Sequence, residues 1–136
     1  MNQSGISPGS PGSDRRPGAT EGPGPLSALE RKVVARILQG SADGLATLRD
    51  QLAGATMVSR TYSGVGLVTR IAIPDGLPAV PADVSLRLRP ALATHPQLSE
   101  AAEFLLQVRD GRLAVLEAYC FQGGWPAVEQ AFRMVD

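Results

Sequence analysis

The sequence predicts an α+β fold: an N-terminal helical hairpin packed on an antiparallel sheet of about five strands, followed by a short C-terminal helix. Three observations predict it. Apolar residues first recur at helical spacing and later alternate with a period of two. Two apolar runs then flank Asp110-Gly111, which is the strongest short-range signal for a two-residue β-hairpin. Because helices and strands are segregated along the chain, we expect an antiparallel meander rather than a parallel sheet.

The first 25 residues are predicted to lie outside the folded domain. They contain six Gly, five Pro and four Ser, and they offer no apolar face. Such a composition cannot offset the entropy that ordering would cost, so we expect residues 1–25 to be a disordered tail. Residues 26–136 then form one α+β domain, which is long enough to bury roughly 65% of its unfolded surface.

Two helices are predicted to follow the tail and to form an αα-hairpin. Ser27 can cap the first helix, and Glu30 three residues later completes a capping box. Gly40 ends this helix, and Ser41 or Asp43 caps the second. The apolar stripes are Leu29, Val33, Val34, Ile37 and Leu38 in the first helix and Leu45, Leu48 and Leu52 in the second.

Five strands are predicted after the helices. The first two occupy residues 56–62 and 67–73 and are joined by a glycine turn. Residues 84–88 alternate apolar with polar side chains, which predicts a third strand with one wet face. Residues 90–99 look irregular, and the Asp-Gly hairpin supplies the last two strands. A short amphipathic helix is predicted to begin at Pro126.

Composition excludes several classes of function. Thirteen basic and thirteen acidic residues balance, so the chain lacks the electrostatic footprint of a nucleic-acid or anionic-membrane binder. No apolar run approaches the roughly 18 residues of a membrane span, and no secretory signal begins the sequence. Cys120 is the only cysteine, which is consistent with a reducing compartment. We therefore expect a cytoplasmic protein without cofactor or metal, in which His95 and Cys120 are structural.

The expected hairpin register singles out Glu117. With a two-residue turn, Phe104 faces Glu117, and the carboxylate lies on an otherwise apolar face of the sheet. A lone buried carboxylate is costly, so it needs a partner or a raised pKa. Two interpretations stay open. Glu117 pairs structurally with Arg60, Arg70 or a tyrosine hydroxyl, or it lines a pocket or a partner surface.

Trp125 is the second residue that stands out. It is the only tryptophan and follows Gly123-Gly124, before Pro126. One interpretation is that its ring caps the core while its N–H finds a carbonyl group. The other is an exposed anchor, because tryptophan is enriched at binding hot spots.

Three segments resemble a recurrent group of small bacterial α+β proteins. They are SRTYSGVGL from Ser59, EFLLQVRDGRLAVLEAY from Glu103, and GGWP from Gly123. Some members of that group sit near secreted toxins and are regarded as immunity-like. The resemblance covers roughly residues 26–126, and it implies a fold more than a function. Ala118 stands where the pattern has glycine, and no catalytic residue is carried over.

We therefore expect a non-enzymatic module that binds another protein, with an immunity-type inhibitor of a bacterial toxin as one form. The alternative is a small-ligand-binding or enzymatic domain with a pocket around Glu117. A deep pocket in which Glu and Arg converge would favour the alternative, whereas a flat apolar patch near Trp125 would favour protein binding. The candidate binding residues are Glu117, Trp125, Tyr119, Tyr62, Arg60 and Arg70.

Overall fold

A single antiparallel sheet dominates the computed structural model, which describes residues 16–136. Two helices cover one face of this sheet. The helices are α1 (Ala28–Ile37) and α2 (Leu45–Gly54), and the strands are β1 (Thr20–Glu21), β2 (Gly24–Pro25), β3 (Thr56–Tyr62), β4 (Gly66–Ala72), β5 (Ala91–Thr94), β6 (Ala102–Arg109), β7 (Arg112–Tyr119) and β8 (Arg133–Met134). The strand order is β1-β3-β4-β7-β6-β5-β8, and β2 also pairs with β3.

The predicted sheet of about five strands with a C-terminal helix is wrong, because the sheet has eight strands and the C-terminal segment is not α-helical. That segment forms one 3-10 turn, Glu129–Ala131, and then strand β8, which pairs with β5. The apolar spacing that suggested a helix does not mark one buried face. Phe132 is 2% exposed, whereas Val128 is 54% exposed. One anchoring ring therefore fixes this segment, and a strand pairing satisfies its backbone.

The third strand lies elsewhere than predicted. Residues 84–88 are not part of the sheet, although their side chains alternate between half-buried and exposed. Strand β5 lies in the stretch predicted to be irregular, and Ala91 pairs there with Phe104. An alternation of apolar and polar residues indicates that one side of an extended segment is buried. It does not show whether another strand pairs with that segment. Two of the four residues of β5 are alanine, which is a poor β-former, so the sequence did not predict this strand.

The N-terminal segment also differs from the prediction. Residues 1–15 of the predicted disordered tail lie outside the described residues. Residues 20–25, the other end of that tail, contribute β1 and β2, which pair with β3. Two very short strands with prolines nearby cover the edge of β3 and blunt it against pairing with other chains. The Gly- and Pro-rich composition of this segment led to the prediction of a disordered tail, because such a composition rarely forms strands.

Two helices are present in the region where the sequence predicts them. Ser27 and Glu30 form the predicted capping box at the start of α1. At the start of α2 neither Ser41 nor Asp43 is the cap. Gly44 takes that position in the left-handed conformation, with a φ of 91°. The buried side chains of both helices face the sheet and form the core with Phe104, Leu113, Leu116 and other inner residues.

The Asp-Gly turn of the hairpin is confirmed. Asp110 and Gly111 have φ values of 53° and 73°, which are the positive values that a type I′ turn requires. The loop before the hairpin packs onto this turn, since Val80 donates its N–H to the Gly111 carbonyl at 2.9 Å. The buried Gln51 amide of α2 also donates to the Gly111 carbonyl and accepts from the Leu113 N–H, each at 3.0 Å. The turn is thus fixed to α2 and to the loop.

The register of the hairpin beyond the turn is not the predicted one. Val108 still faces Leu113, but the next pair along the two strands, moving away from the turn, is Gln107 with Val115. Ala114 is therefore an extra residue on β7, which makes a β-bulge. A one-residue shift carries every later side chain to the opposite face of a sheet.

The predicted pairing of Phe104 with Glu117 is consequently wrong. Phe104 faces Ala118 on the buried side, and Glu117 faces Leu105 on the other side. Val115 is buried but lies outside the core cluster, as expected of a residue on the face away from the helices. Glu117 is therefore not a lone carboxylate in the core.

Candidate functional site

The sheet face opposite the helices is the candidate site, and we call it the outer face. Register places a mixed set of apolar, polar and aromatic side chains on it. The outer face comprises Leu92 on β5, Glu103, Leu105 and Gln107 on β6, Val115, Glu117 and Tyr119 on β7, Val68 and Arg70 on β4, and Phe121 beyond β7.

Hydrogen bonds from neutral donors hold both carboxylates of the outer face. The Tyr119 hydroxyl donates to Glu103 at 2.6 Å, and the Gln107 amide donates to Glu117 at 2.5 Å. Arg109 in turn donates to the Gln107 carbonyl oxygen at 2.9 Å. The hydrogen bond to Glu103, then desolvation and the nearby negative charges, raise the pKa of Tyr119. The phenol therefore remains protonated and donating at neutral pH.

Arg70 is the charged group of the outer face whose side chain has no partner of any kind within residues 16–136. Its side chain is exposed, and its strand neighbours are Ser59 and Val115. Within residues 16–136 it forms neither an ion pair nor a side-chain hydrogen bond. Arg70 is thus available to a carboxylate from another molecule, because no charged group among residues 16–136 pairs with it.

Apolar side chains stand beside these polar groups. Val68, Leu92 and Phe121 are 38%, 39% and 53% exposed. The Phe121 ring meets the Tyr119 ring edge to face, with centroids 5.3 Å apart, an arrangement that aromatic pairs prefer. The outer face therefore combines exposed aliphatic and aromatic area with Arg70, a cation that is unpaired in the described part of the chain.

Arg60 and Tyr62 lie on the opposite face, against α1. Both are buried. Arg60 donates to Glu30 through Nε at 2.8 Å and also through Nη2, and it donates to Glu21 through Nη1 at 2.7 Å. The Thr69 hydroxyl donates to the second oxygen of Glu30. We call Glu21, Glu30, Arg60 and Thr69 the inner cluster.

The electrostatics of the inner cluster are those of a closed structural network. Burial alone would raise the pKa of Glu30, but hydrogen bonds from Arg60 and Thr69, the charge of Arg60 and the Ser27 N–H outweigh it and lower the pKa. Burial likewise opposes the charge of Arg60, yet the bonds and charge of Glu30 raise its pKa above the ordinary value. Both groups therefore stay ionised, and neither is suited to proton transfer near neutral pH.

A cavity of about 550 Å³ lies beside the inner cluster. Its lining residues include Pro23, Met57, Arg60, Tyr62 and Glu129. Arg60 already meets two carboxylates there, so little of its charge is left to attract an anion into the cavity. Glu117 does not line this cavity.

Trp125 contributes to the core rather than to the outer face. Its indole is half-buried and packs against Phe104 and Phe132, with centroids 5.8 and 5.1 Å away. The indole N–H donates to the Glu129 carboxylate at 3.1 Å. Of the two interpretations, the geometry favours the capping ring, although its N–H meets a carboxylate instead of a carbonyl group.

The six predicted site residues thus fall into three places. Glu117, Tyr119 and Arg70 share the outer face, Arg60 and Tyr62 lie on the inner face, and Trp125 caps one end of the core. Sequence reasoning missed Glu103, Gln107 and Phe121 as members of the site. The alternation of polar Glu103 and Gln107 with apolar neighbours on β6 was the available signal for the first two.

Cys120 and His95 make structural contacts. Burial raises the pKa of the Cys120 thiol, which lies 3.2 Å from the Val65 carbonyl oxygen. His95 is buried between the Val128 carbonyl and the Gln97 N–H, at 2.8 and 3.0 Å from its two ring nitrogens. In the described part of the chain, no three His, Cys, Asp or Glu residues converge as metal ligands.

Over residues 16–136, neither helix has the length and apolar character needed to cross a bilayer. No family model, curated protein or solved structure matches this chain.

Proposed function

We propose that this chain is a protein-binding module that docks its partner on the outer face of the sheet. The observation that carries the proposal is the exposed apolar area there, at Val68, Leu92 and Phe121, on the face opposite the two helices of residues 16–136. Exposed apolar side chains set among polar groups are typical of interaction sites, and aromatic residues are enriched at their centres.

The charges of the outer face indicate what the partner presents. Glu103 and Glu117 are already hydrogen-bonded by Tyr119 and Gln107, so they do not require a cation from outside. Arg70 lacks such a partner within the described residues. The matching surface is therefore an apolar patch with a carboxylate placed to meet Arg70, because a complementary charge pair improves specificity and the rate of association.

An immunity-type inhibitor is the specific form of this function that the resemblance to small bacterial proteins suggests. The partner would then be a bacterial toxin, and the outer face would cover part of its surface. The same proposal places the protein in the cytoplasm, where its single cysteine, Cys120, stays reduced.

The alternative, a ligand pocket around Glu117, has weaker support. Such a pocket was expected to join Glu117 or Tyr119 to Arg60 or Tyr62, but the sheet separates these two pairs. Glu117 lies on a strand face beside Leu105 and Val68, and it does not line the cavity that contains Arg60.

Site-specific photo-crosslinking followed by a binding measurement tests the proposal. A benzophenone amino acid replaces Val68 in one variant and Val128, which is exposed away from the outer face, in a control. Both variants are produced in the native cells of the protein and irradiated. The protein cross-linked through position 68 is identified, purified and titrated calorimetrically with the wild type, Val68→Glu and Val128→Glu.

We expect one partner to be cross-linked from position 68 but not from position 128. Val68→Glu should weaken its affinity by about tenfold or more, equivalent to about 1.4 kcal/mol, whereas Val128→Glu should bind like the wild type. Cross-linking of position 68 only to a second copy of the chain would replace the proposed partner by self-association. Equal weakening by both substitutions, or no cross-linked protein, would overturn the proposal.

A further inference from the structure

A second cleft, which shares only Leu92 with the outer face, lies at the edge of the sheet. It has a volume of about 610 Å³ and is bounded by the end of α1, the link to α2 and the segment that precedes and enters β5. Its lining residues are Arg36, Ile37, Gln39, Gly40, Ser41, Ala42, Leu45, Arg87, Leu88, Arg89, Pro90, Ala91, Leu92, Val135 and Asp136.

The side chains that line this cleft carry an excess of positive charge. Three are arginines, Arg36, Arg87 and Arg89, and one is an aspartate, Asp136. The chain as a whole has no net charge, so the excess is local. A concave surface of one sign concentrates ligands of the opposite sign.

Two of the three arginines have no partner among the described residues. Arg87 and Arg89 are exposed, and within residues 16–136 neither forms an ion pair or a side-chain hydrogen bond. Arg36 is held in place, because it donates to the Val135 carbonyl at 2.7 Å and lies 3.5 Å from Asp136. One fixed and two unpaired guanidinium groups therefore border the cleft.

The backbone explains why Arg87 and Arg89 lie together. They are two residues apart in an extended segment, and the half-buried Leu86 and Leu88 alternate with them and pack on the core. Residues two apart in an extended chain point to the same side. Guanidinium groups present planar forks of donors that match the oxygens of phosphate and carboxylate groups.

The nearby end of α1 does not oppose an anion. The last carbonyl groups of a helix carry partial negative charge, and those of α1 lie next to the cleft. Arg49 donates to two carbonyls of this region, Leu38 at 2.7 Å and Gly40 at 2.9 Å. The positive charge of Arg49 offsets the partial negative charge at the end of α1. The helix end therefore does not reduce the positive charge of the three arginines in the cleft.

We propose that this cleft binds a small phosphate monoester. The net excess of two positive charges among its lining side chains matches a dianionic phosphate. Ile37, Leu45 and Leu88 add an apolar wall for the organic part of the ligand. Gln39 and Ser41 add polar groups to the lining.

Phenyl phosphate is the probe for this proposal, because it combines a phosphate dianion with an apolar ring. It is titrated calorimetrically into the full chain, into an Arg87→Gln/Arg89→Gln variant and into Arg133→Gln. Arg133 is an exposed arginine of β8 that does not line the cleft. Succinate, a dicarboxylate dianion, is titrated at the same ionic strength, and amide NMR shifts report where each compound binds.

We expect saturable binding of phenyl phosphate with a dissociation constant of about 1 mM or below. The double variant should bind at least about tenfold more weakly and Arg133→Gln like the wild type, with amide shifts centred on Gly40–Ala42. Unchanged melting temperatures show that the variants fold. Absence of saturation, equal binding by the double variant, or succinate binding as tightly as phenyl phosphate would overturn the phosphate site.

Discussion

Glu30→Gln is the substitution that tests the inner cluster most severely. Glu30 accepts hydrogen bonds from the Ser27 N–H, two donors of Arg60 and the Thr69 hydroxyl. A glutamine has one acceptor oxygen, and its NH₂ group would meet the donors of Arg60. The variant therefore keeps a buried cation while removing the closer of its two counter-charges.

The expected cost follows from the burial of the pair. The side chains of Glu30 and Arg60 are only 4% and 10% exposed, so solvent does little to screen what is lost. Removing one partner of a buried ion pair costs about 3–5 kcal/mol. Glu21 remains 2.7 Å from Arg60 and places the expected loss near the lower figure.

Chemical denaturation at neutral pH measures this loss. Glu103→Gln is the matched control, because Glu103 accepts one hydrogen bond from Tyr119 on the outer face and forms no ion pair with any residue from 16 to 136. Its expected cost is within about 1 kcal/mol. A loss for Glu30→Gln no larger than that of Glu103→Gln would refute the account of the inner cluster.

Acid unfolding gives a second measurement on the same carboxylate. The folded protein holds the pKa of Glu30 below the usual value of 4.5, so the unfolded chain binds the proton more readily. Stability from this group is therefore complete above the unfolded pKa and is lost as the pH falls through the lowered folded pKa. This part of the acid sensitivity should be absent from Glu30→Gln. An identical dependence below pH 4.5 in both proteins would contradict it.

Three further changes have definite expected outcomes in equilibrium unfolding. Gly111→Val should cost about 1–3 kcal/mol, because φ is 73° and the new Cβ would lie 2.3 Å from a backbone oxygen. As a control, Gly76→Val places its side chain in open space and should change stability by no more than about 0.5 kcal/mol. Equal losses of stability in Gly111→Val and Gly76→Val would contradict the turn conformation assigned to Gly111. Gln51→Leu should cost about 1–3 kcal/mol by orphaning buried backbone groups, and a neutral result would mean that water replaces the amide. Deleting residues 1–24 should lower the melting temperature measurably, contrary to what composition suggests, since it removes β1 and a carboxylate from Arg60; an unchanged value would show that this edge cover contributes nothing.

Local signals in the sequence predicted local structure well. The Ser27–Glu30 capping box and the Asp110-Gly111 turn depend on residues close together in the chain, and both are confirmed. The prediction of a C-terminal helix was wrong, because the segment is held by one buried ring, Phe132, and not by an apolar helix face. The spacing of apolar residues does not show which of them is buried.

The candidate site depended on a single unpredicted residue. An Asp-Gly turn sets the register only as far as the first irregularity, and the bulge at Ala114 reverses the faces of β7 beyond it. No residue type marks that bulge, because alanine carries no turn or left-handed preference. The grouping of Glu117 with Tyr119 and Arg70 was therefore predictable as a set of candidates, but its position on the outer face was not.

Thiol labelling of adjacent positions on β7 tests the outer face most directly. In a Cys120→Ser background, Glu117→Cys and Ala118→Cys are each treated with a maleimide reagent under native conditions. Glu117 faces away from the helices, whereas Ala118 is 4% exposed on the buried side. The thiol of the Glu117→Cys variant should react far faster than the thiol of the Ala118→Cys variant. The reverse order of rates would support the register without a bulge, in which Glu117 is buried. It would then contradict the outer face on which the proposed protein partner docks.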